Sequence, residues 1–326
     1  MRNLLIMQER FSENMRKRII RITALLIVAV LILSAMPVFA AEPPAWLQKL
    51  EGGKLVDTRD EESEQKQAEL EKWQAKKREM KVPILLYHHI TNDEFSDWEA
   101  ISLISPKDFR LHMTAIKVHF TPISLREYYN YVACEDGSVD IPDNPIIVTF
   151  DDGYLSNYEI AYPILKELEI PATIFVVTDT VGAVAGEGKV NNSHFTWEQA
   201  KEMEESGLIE IQSHTVNHLK MTSLNHDEMI RQLRKSKYDI EKNLGRECDM
   251  IAYPYGDYNE GIKNAARAAG FKMQVLVDNK VTEEEYDVNV PSEGAENIVR
   301  MTIAGYMGNV NVIDIIRRTM SKKVIK

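Results

Sequence analysis

Asp151 and Asp152 are adjacent carboxylates in Thr149-Phe150-Asp151-Asp152-Gly153-Tyr154, and His214 and His218 are two imidazoles in Ser213-His214-Thr215-Val216-Asn217-His218. One carboxylate and two imidazoles make a three-ligand set for a hydrolytic metal ion with room for water, and the remaining carboxylate is a spare base. Either motif alone has a plainer reading. Asp-Asp-Gly suits a turn, and two histidines at i and i+4 could decorate a helix surface. Together they favour a metal site, and a helical 214–218 segment would turn both rings the same way.

Such a site needs elements that bring these clusters to one place. Strand-like apolar runs are read at 82–87, 120–124, 146–150, 172–177, 208–213, 250–253, 272–277 and 298–303. Helical patterns over 106–117, 125–132, 157–168, 196–206, 227–244 and 259–269 fall between them. This repeated order predicts an α/β fold built on a parallel sheet, closed as a barrel or open and doubly wound. His88-His89, Asp151-Asp152, His214 with His218, and Pro254-Tyr255-Gly256 each fall just beyond a strand. Carboxyl ends of parallel strands share one edge, so clusters remote in sequence converge there. Ser105-Pro106 and Thr196 with Gln199 are helix-start signals, and Gly270 is a stop.

The motifs, with Tyr253-Pro254-Tyr255-Gly256, resemble the polysaccharide deacetylase family, also called the NodB-homology domain. The resemblance spans roughly residues 82–305 and implies a distorted (β/α) barrel that removes acetyl groups from N-acetylated sugars. It implies that Asp151 is the general base and that Asp152, His214 and His218 hold a divalent cation. Zinc heads the candidates, with cobalt, nickel and manganese behind it, because imidazole and carboxylate ligands accept all of them. It further implies that the Tyr255 N–H faces the developing oxyanion, and that Tyr154, Tyr253 and Pro254 contact the sugar.

The chain departs from the common pattern of that family in two places. Ala252 stands where many relatives have an arginine beside the base, and Arg300-Met301-Thr302-Ile303 lacks the usual carboxyl-terminal histidine. Leu86-Tyr87-His88-His89 instead resembles the amino-terminal Tyr-His segment of the branch acting on poly-N-acetylglucosamine, which makes His88 the general acid and His89 structural. His112, His119, His194 and His226 match no partner pattern, so packing or surface roles are expected for them. Trp197 reads as a packing residue, whereas Trp98 and Tyr258 sit near loops where they could stack on sugar rings.

The amino terminus has the layout of an export signal. Arg16, Lys17, Arg18 and Arg21 precede an apolar stretch from Ile22 to Ala35, followed by Pro37-Val38-Phe39-Ala40. The expectation is a signal peptide cleaved after Ala40 or a membrane anchor over residues 22–36, with initiation at Met1 or Met15. Residues 41–81 read as a charged helical linker, 82–305 as the catalytic domain and 306–326 as a carboxyl-terminal helix. The expected location is secreted or extracytoplasmic, with membrane association through the amino terminus if the anchor is kept.

The formal charge of −11 becomes −15 once residues 1–40, with six Lys/Arg and two Asp/Glu, are removed. An acidic product of this kind is a poor nucleic-acid binder; an N-acetylated polysaccharide is the expected partner. Two cysteines, Cys134 and Cys248, give no zinc knuckle or disulfide scaffold, and they are expected to stay unbridged. Two rival readings remain: an O-acetyl esterase with the same machinery, and a glycan-binding scaffold that has lost activity.

Overall fold

The computed structural model describes residues 48–51, 54–92, 102–185, 191–277, 288–303, 305 and 312–321. The expected export segment 1–40, Trp98 and residues 186–190 lie outside the described residues. The chain forms two compact units, residues 1–66 and 67–326. Among the described residues no helix is long and apolar enough to cross a membrane.

In the first unit, β1 (Gln48–Glu51) and β2 (Lys54–Asp57) pair antiparallel. This hairpin was hidden in a segment read as charged linker, although Gly52-Gly53 between two short runs is a hairpin dipeptide. The helix α1 (Thr58–Glu79) follows. Its residues 62–69 are exposed, as expected of a solvated helix. Its carboxyl half is not a free spacer. Trp73 donates its indole N–H to the Val139 carbonyl at 2.8 Å and meets Tyr131 edge-on at 5.4 Å. Lys77 Nζ donates to the Val132 and Cys134 carbonyls at 2.7 and 2.6 Å.

Next come β3 (Ile84–Tyr87), β4 (His89–Ile90), β5 (Leu103–Ile104), α2 (Pro106–His119), β6 (Thr121–Pro122) and α3 (Leu125–Ala133). Then follow β7 (Pro145–Asp152), α4 (Tyr162–Leu168), β8 (Ala172–Val176), α5 (Trp197–Glu205), β9 (Ile209–Ser213) and α6 (His226–Leu244). The chain finishes with β10 (Met250–Ala252), α7 (Glu260–Ala268), β11 (Met273–Val275), β12 (Met301–Thr302) and α8 (Val312–Ser321). The main sheet has the order β11-β10-β9-β8-β7-β3-β12, with β6 also against β7. All its pairings are parallel. It curls so that its edges approach: Ile298 bridges Val275 on β11, and three residues later β12 pairs with β3. The expected α/β architecture of distorted (β/α) barrel type is therefore observed.

Two apolar layers follow from strand alternation. Ile146, Val148 and Phe150 pack outward with Phe109, Met113 and Leu165 of the covering helices. Ile147, Phe175, Ala252 and Met273 form an inner layer with Leu125, Tyr128 and Tyr131 of α3. Arg126, on the same helix, binds Asp249 at 2.5 Å and Glu210 at 2.7 Å beside the β9 and β10 strand starts. Ser105 and Thr196 cap α2 and α5 as expected. Trp197 packs on the core, and both cysteines are free.

The helix expected over 157–168 opens as a π-turn, Asn157–Ala161, before α4 begins. Pro163 explains the break, because it lacks the N–H that would continue the ladder.

His112 is buried on α2 with the Tyr87 hydroxyl 3.3 Å from its Nδ1. Burial, only partly offset by Asp108, pushes its pKa down to about 4. The imidazole is harder to protonate folded than unfolded, so the unfolded chain binds more protons as pH falls through this window. We expect full stability above pH 6.5 and a loss of about 3 kcal/mol by pH 4 from this group. Denaturant melts from pH 7 to 4 should show the fall, and His112→Gln should flatten it.

Candidate active site

Consecutive strand residues face opposite sides, so Asp151 and Asp152 should not serve one site. The structure resolves this at the strand end. Asp151 follows Ile147 and Thr149 on the inner face, while Asp152 adopts φ 71° and is turned to the same side. Gly153 continues the turn at φ 78°; a Cβ there would lie 3.0 Å from Val176 Cγ1, leaving no room for a side chain.

His214 leaves β9 with Nδ1 2.9 Å from the Ala252 carbonyl oxygen. That bond fixes Nδ1 as the protonated nitrogen and leaves the Nε2 lone pair facing the carboxylates. Nε2 is 3.7 Å from both Asp151 Oδ2 and Asp152 Oδ1. His218 Nε2 is 3.4 Å from Asp152 Oδ1. The helix expected over 214–218 is absent. Thr215 at φ 67° and His218 at φ 54° fold the segment back instead, bringing the two rings to 4.9 Å. Left-handed backbone, not helical periodicity, makes them converge.

Asp152, His214 and His218 offer ligand atoms within 4.8 Å of one another. Two atoms each about 2.0–2.2 Å from one tetrahedral ion stand about 3.3–3.6 Å apart, and the Asp152 separations of 3.4 and 3.7 Å match that spacing. The donor set therefore fits a zinc-like cation. Burial, reinforced by His214 and opposed by Asp152, lowers the His218 pKa and favours the neutral form that ligates.

The arginine missing at position 252 is supplied by Arg300, from the residue before β12. Its Nη1 and Nη2 donate to Asp151 Oδ1 and Oδ2 at 2.6 and 2.7 Å, and its Nε donates to the Leu276 carbonyl at 3.1 Å. Both partners are buried. Burial alone would raise the Asp151 pKa; the Arg300 charge, then His214, and the paired hydrogen bonds hold it well below the usual carboxylate range. The role of Arg300 is not among the expectations from sequence, which turned on the histidine absent from 300–303. The available signal was a cation inside an apolar run.

His88 lies just past β3. Its Nδ1 is buried with no protein partner. His89 has the structural role expected: Nδ1 meets Ser156 Oγ at 2.7 Å. Tyr255 sits at φ 60° with its ring 54% exposed, 4.6 Å from the His218 ring and with Lys220 Nζ 5.7 Å away. Its N–H takes no part in the bonds closing that turn, which run from Gly256 to Tyr253 and from Asp257 to Pro254.

Of the three residues expected to contact sugar, Tyr253 and Pro254 lie inside the fold. Tyr253 is fully buried and donates its hydroxyl to Gln274 Oε1 at 2.7 Å, because β10 alternation still turns it into the core. Pro254 is buried as well. The Tyr154 ring stands between His89 at 4.7 Å and His194 at 5.0 Å. Burial, then the Asp152 charge beside it, pushes its phenol well above the usual range. His194, expected to be a packing or surface residue, thus packs within the site, while Tyr258 stacks on Tyr253 at 5.9 Å.

A curled parallel sheet thus carries, at its carboxyl edge, an Asp-His-His cluster that could hold a metal ion and a carboxylate held by an arginine. The family model described as Polysaccharide deacetylase matches residues 138–274. YxkH of Bacillus subtilis, itself named for that family, is 30% identical over 216 residues, 66% of this chain and 71% of its own. The poly-beta-1,6-N-acetyl-D-glucosamine N-deacetylase of Staphylococcus aureus is 31% identical over 198 residues, 58% of this chain and 66% of its own. The Streptococcus pyogenes deacetylase PplD, solved with acetate, superposes with a TM-score of 0.59 at 28% identity, covering 72% of this chain and 97% of PplD. The chain belongs to the polysaccharide deacetylase family and is an enzyme of that class.

Removing Arg300 would leave a buried carboxylate without its counter-charge. Arg300→Met should cost about 3–5 kcal/mol of stability, with deacetylase activity lost in whatever folds. Denaturant titration and acetate release measure the two effects; a variant as stable and active as wild type would show the pair to be idle.

Proposed function

We propose that the protein is a metal-dependent, extracytoplasmic hydrolase that removes N-acetyl groups from a glycan, with poly-N-acetylglucosamine preferred over peptidoglycan and chitin-like oligomers. The reading is carried by one observation: Asp152, His214 and His218 converge beside a carboxylate that Arg300 holds ionised. The preference for poly-N-acetylglucosamine leans on the likeness to the staphylococcal enzyme and on the Tyr87-His88 segment. The extracytoplasmic location leans on the export-type layout of residues 16–40.

Asp152, His214 and His218 would hold the cation. When bound, such an ion polarises the acetamide carbonyl and lowers the pKa of its water to about 7. Asp151 accepts the proton of the attacking water; being ionised at every physiological pH, it needs no preliminary deprotonation. The Tyr255 N–H, outside the bonds of its turn, donates to the oxyanion. His88, with a buried Nδ1 and a place near Asp151, gives a proton to the departing amine. The exposed Tyr255 ring offers an apolar face to a pyranose.

The scaffold reading draws on the missing arginine at position 252 and the missing carboxyl-terminal histidine; Arg300 stands beside the base in place of the first, and His88 is the candidate for the second. The esterase reading differs in substrate alone, so the assay must carry both acetyl types.

The purified chain should release acetate from N-acetylglucosamine oligomers, lose that activity to a chelator and regain it with zinc. Asp151→Asn should lower turnover at least about 100-fold while still binding metal; His214→Ala should lose metal. Acetate from O-acetylated glycans alone would make it an esterase, and none from any glycan would make it a scaffold. Tyr255→Ala keeps the N–H and removes the ring, so KM should rise more than kcat falls; the reverse split would take the ring out of substrate binding.

A further inference from the structure

The turn carrying both imidazoles has no helical hydrogen bonds, so its shape depends on partners outside it. On one side, the Thr178 and Asp179 N–H groups donate to the Thr215 and Val216 carbonyls at 3.1 and 3.0 Å. On the other side, the Val216 and Asn217 N–H groups both donate to a single atom, Gln232 Oε1, at 2.9 and 3.0 Å. Gln232 lies on α6 and is fully buried. Its amide therefore replaces water for two N–H groups that would otherwise be stranded.

The clamp is itself oriented. Gln232 Nε2 donates to Asn217 Oδ1 and to Glu228 Oε1, each at 2.8 Å, which fixes the side of the amide that presents oxygen to the turn. Asn217 is held in turn by Arg231 at 2.8 Å and by Asp179 at 2.5 Å. Thr215 and His218, flanking the clamped pair, both sit in the left-handed region. Such residues stay there only while their surroundings over-determine them.

We infer that Gln232 is a positioning residue that sets the spacing of His214 and His218 by clamping the two N–H groups between Thr215 and His218. The inference rests on the reading of His214 and His218 as metal ligands. An apolar side chain of similar length would fill the space but release the turn. The His218 ring would then lose its fixed distance from Asp152 and His214, and cation affinity would fall.

The test is zinc binding to the full chain by competition with a chromophoric chelator, beside amide hydrogen exchange. Gln232→Met should bind zinc about 10- to 100-fold more weakly, the usual cost of losing a group that orients a ligand. Gln232→Glu keeps the acceptor oxygen but sets its other oxygen against Asn217 Oδ1 and the Glu228 carboxylate, so it too should weaken zinc binding. Leu233→Ala, on the same helix and equally buried but without a bond to the turn, should melt earlier and keep its zinc affinity. The clamp is overturned if Gln232→Met binds zinc as wild type does, or if Leu233→Ala weakens binding as much. It also fails, even should Gln232→Met not fold, if the Val216 and Asn217 amides of wild type exchange at open-loop rates. A wild-type chain that takes up no divalent cation would sink the metal reading instead, and the exchange rates would then judge the clamp alone.

Discussion

A carboxylate buried in the mouth of an apolar barrel would take up a proton unless a cation stood against it, and here that cation is the Arg300 guanidinium. Its two donors match the two oxygens of Asp151, and Leu276 and the Phe175 ring hold it from behind. A two-pronged pair of this kind fixes orientation as well as charge. The barrel must therefore close for the base to exist as a base, since Arg300 rides on the segment that joins the two edges of the sheet.

The second constraint is conformational. Among the described residues, five non-glycine positions have positive φ, and four of them, Asp152, Thr215, His218 and Tyr255, belong to this site. The fifth, Glu169, ends α4. Each of the four departs from the direction its element would have imposed: Asp152 from strand alternation, Thr215 and His218 from a simple exit of β9, Tyr255 from the end of β10. Strain of about 1–3 kcal/mol per residue is concentrated where aim matters, and buried hydrogen bonds such as those from Gln232 retain it.

Much of this was legible in the chain. Apolar runs ending in polar clusters gave the strands and located Asp151, Asp152, His214 and His218, because the carboxyl edge of a parallel sheet gathers such ends. Helix starts at Ser105 and Thr196 were readable because capping is local. What escaped depended on partners far away or on backbone handedness. Arg300 stands out in sequence only as a cation inside an apolar run, which does not point to Asp151 as its partner. The i, i+4 spacing of His214 and His218 imitates a helix surface although a left-handed turn produces it. Tyr253 resembled a cleft residue because nothing local says that Gln274 waits inside for its hydroxyl.

The closing segment has a consequence for how the enzyme comes into being. Asp151 and Arg300 are 149 positions apart, and among the described residues the chain between them builds four strands, β8 to β11, before the guanidinium arrives. Without that segment the carboxyl group of Asp151 would lose its counter-charge and hold its proton more readily, although the strands that carry His214 and Asp152 precede it in the chain. Chemical competence therefore waits on the segment that leads into β12, however complete the rest of the sheet.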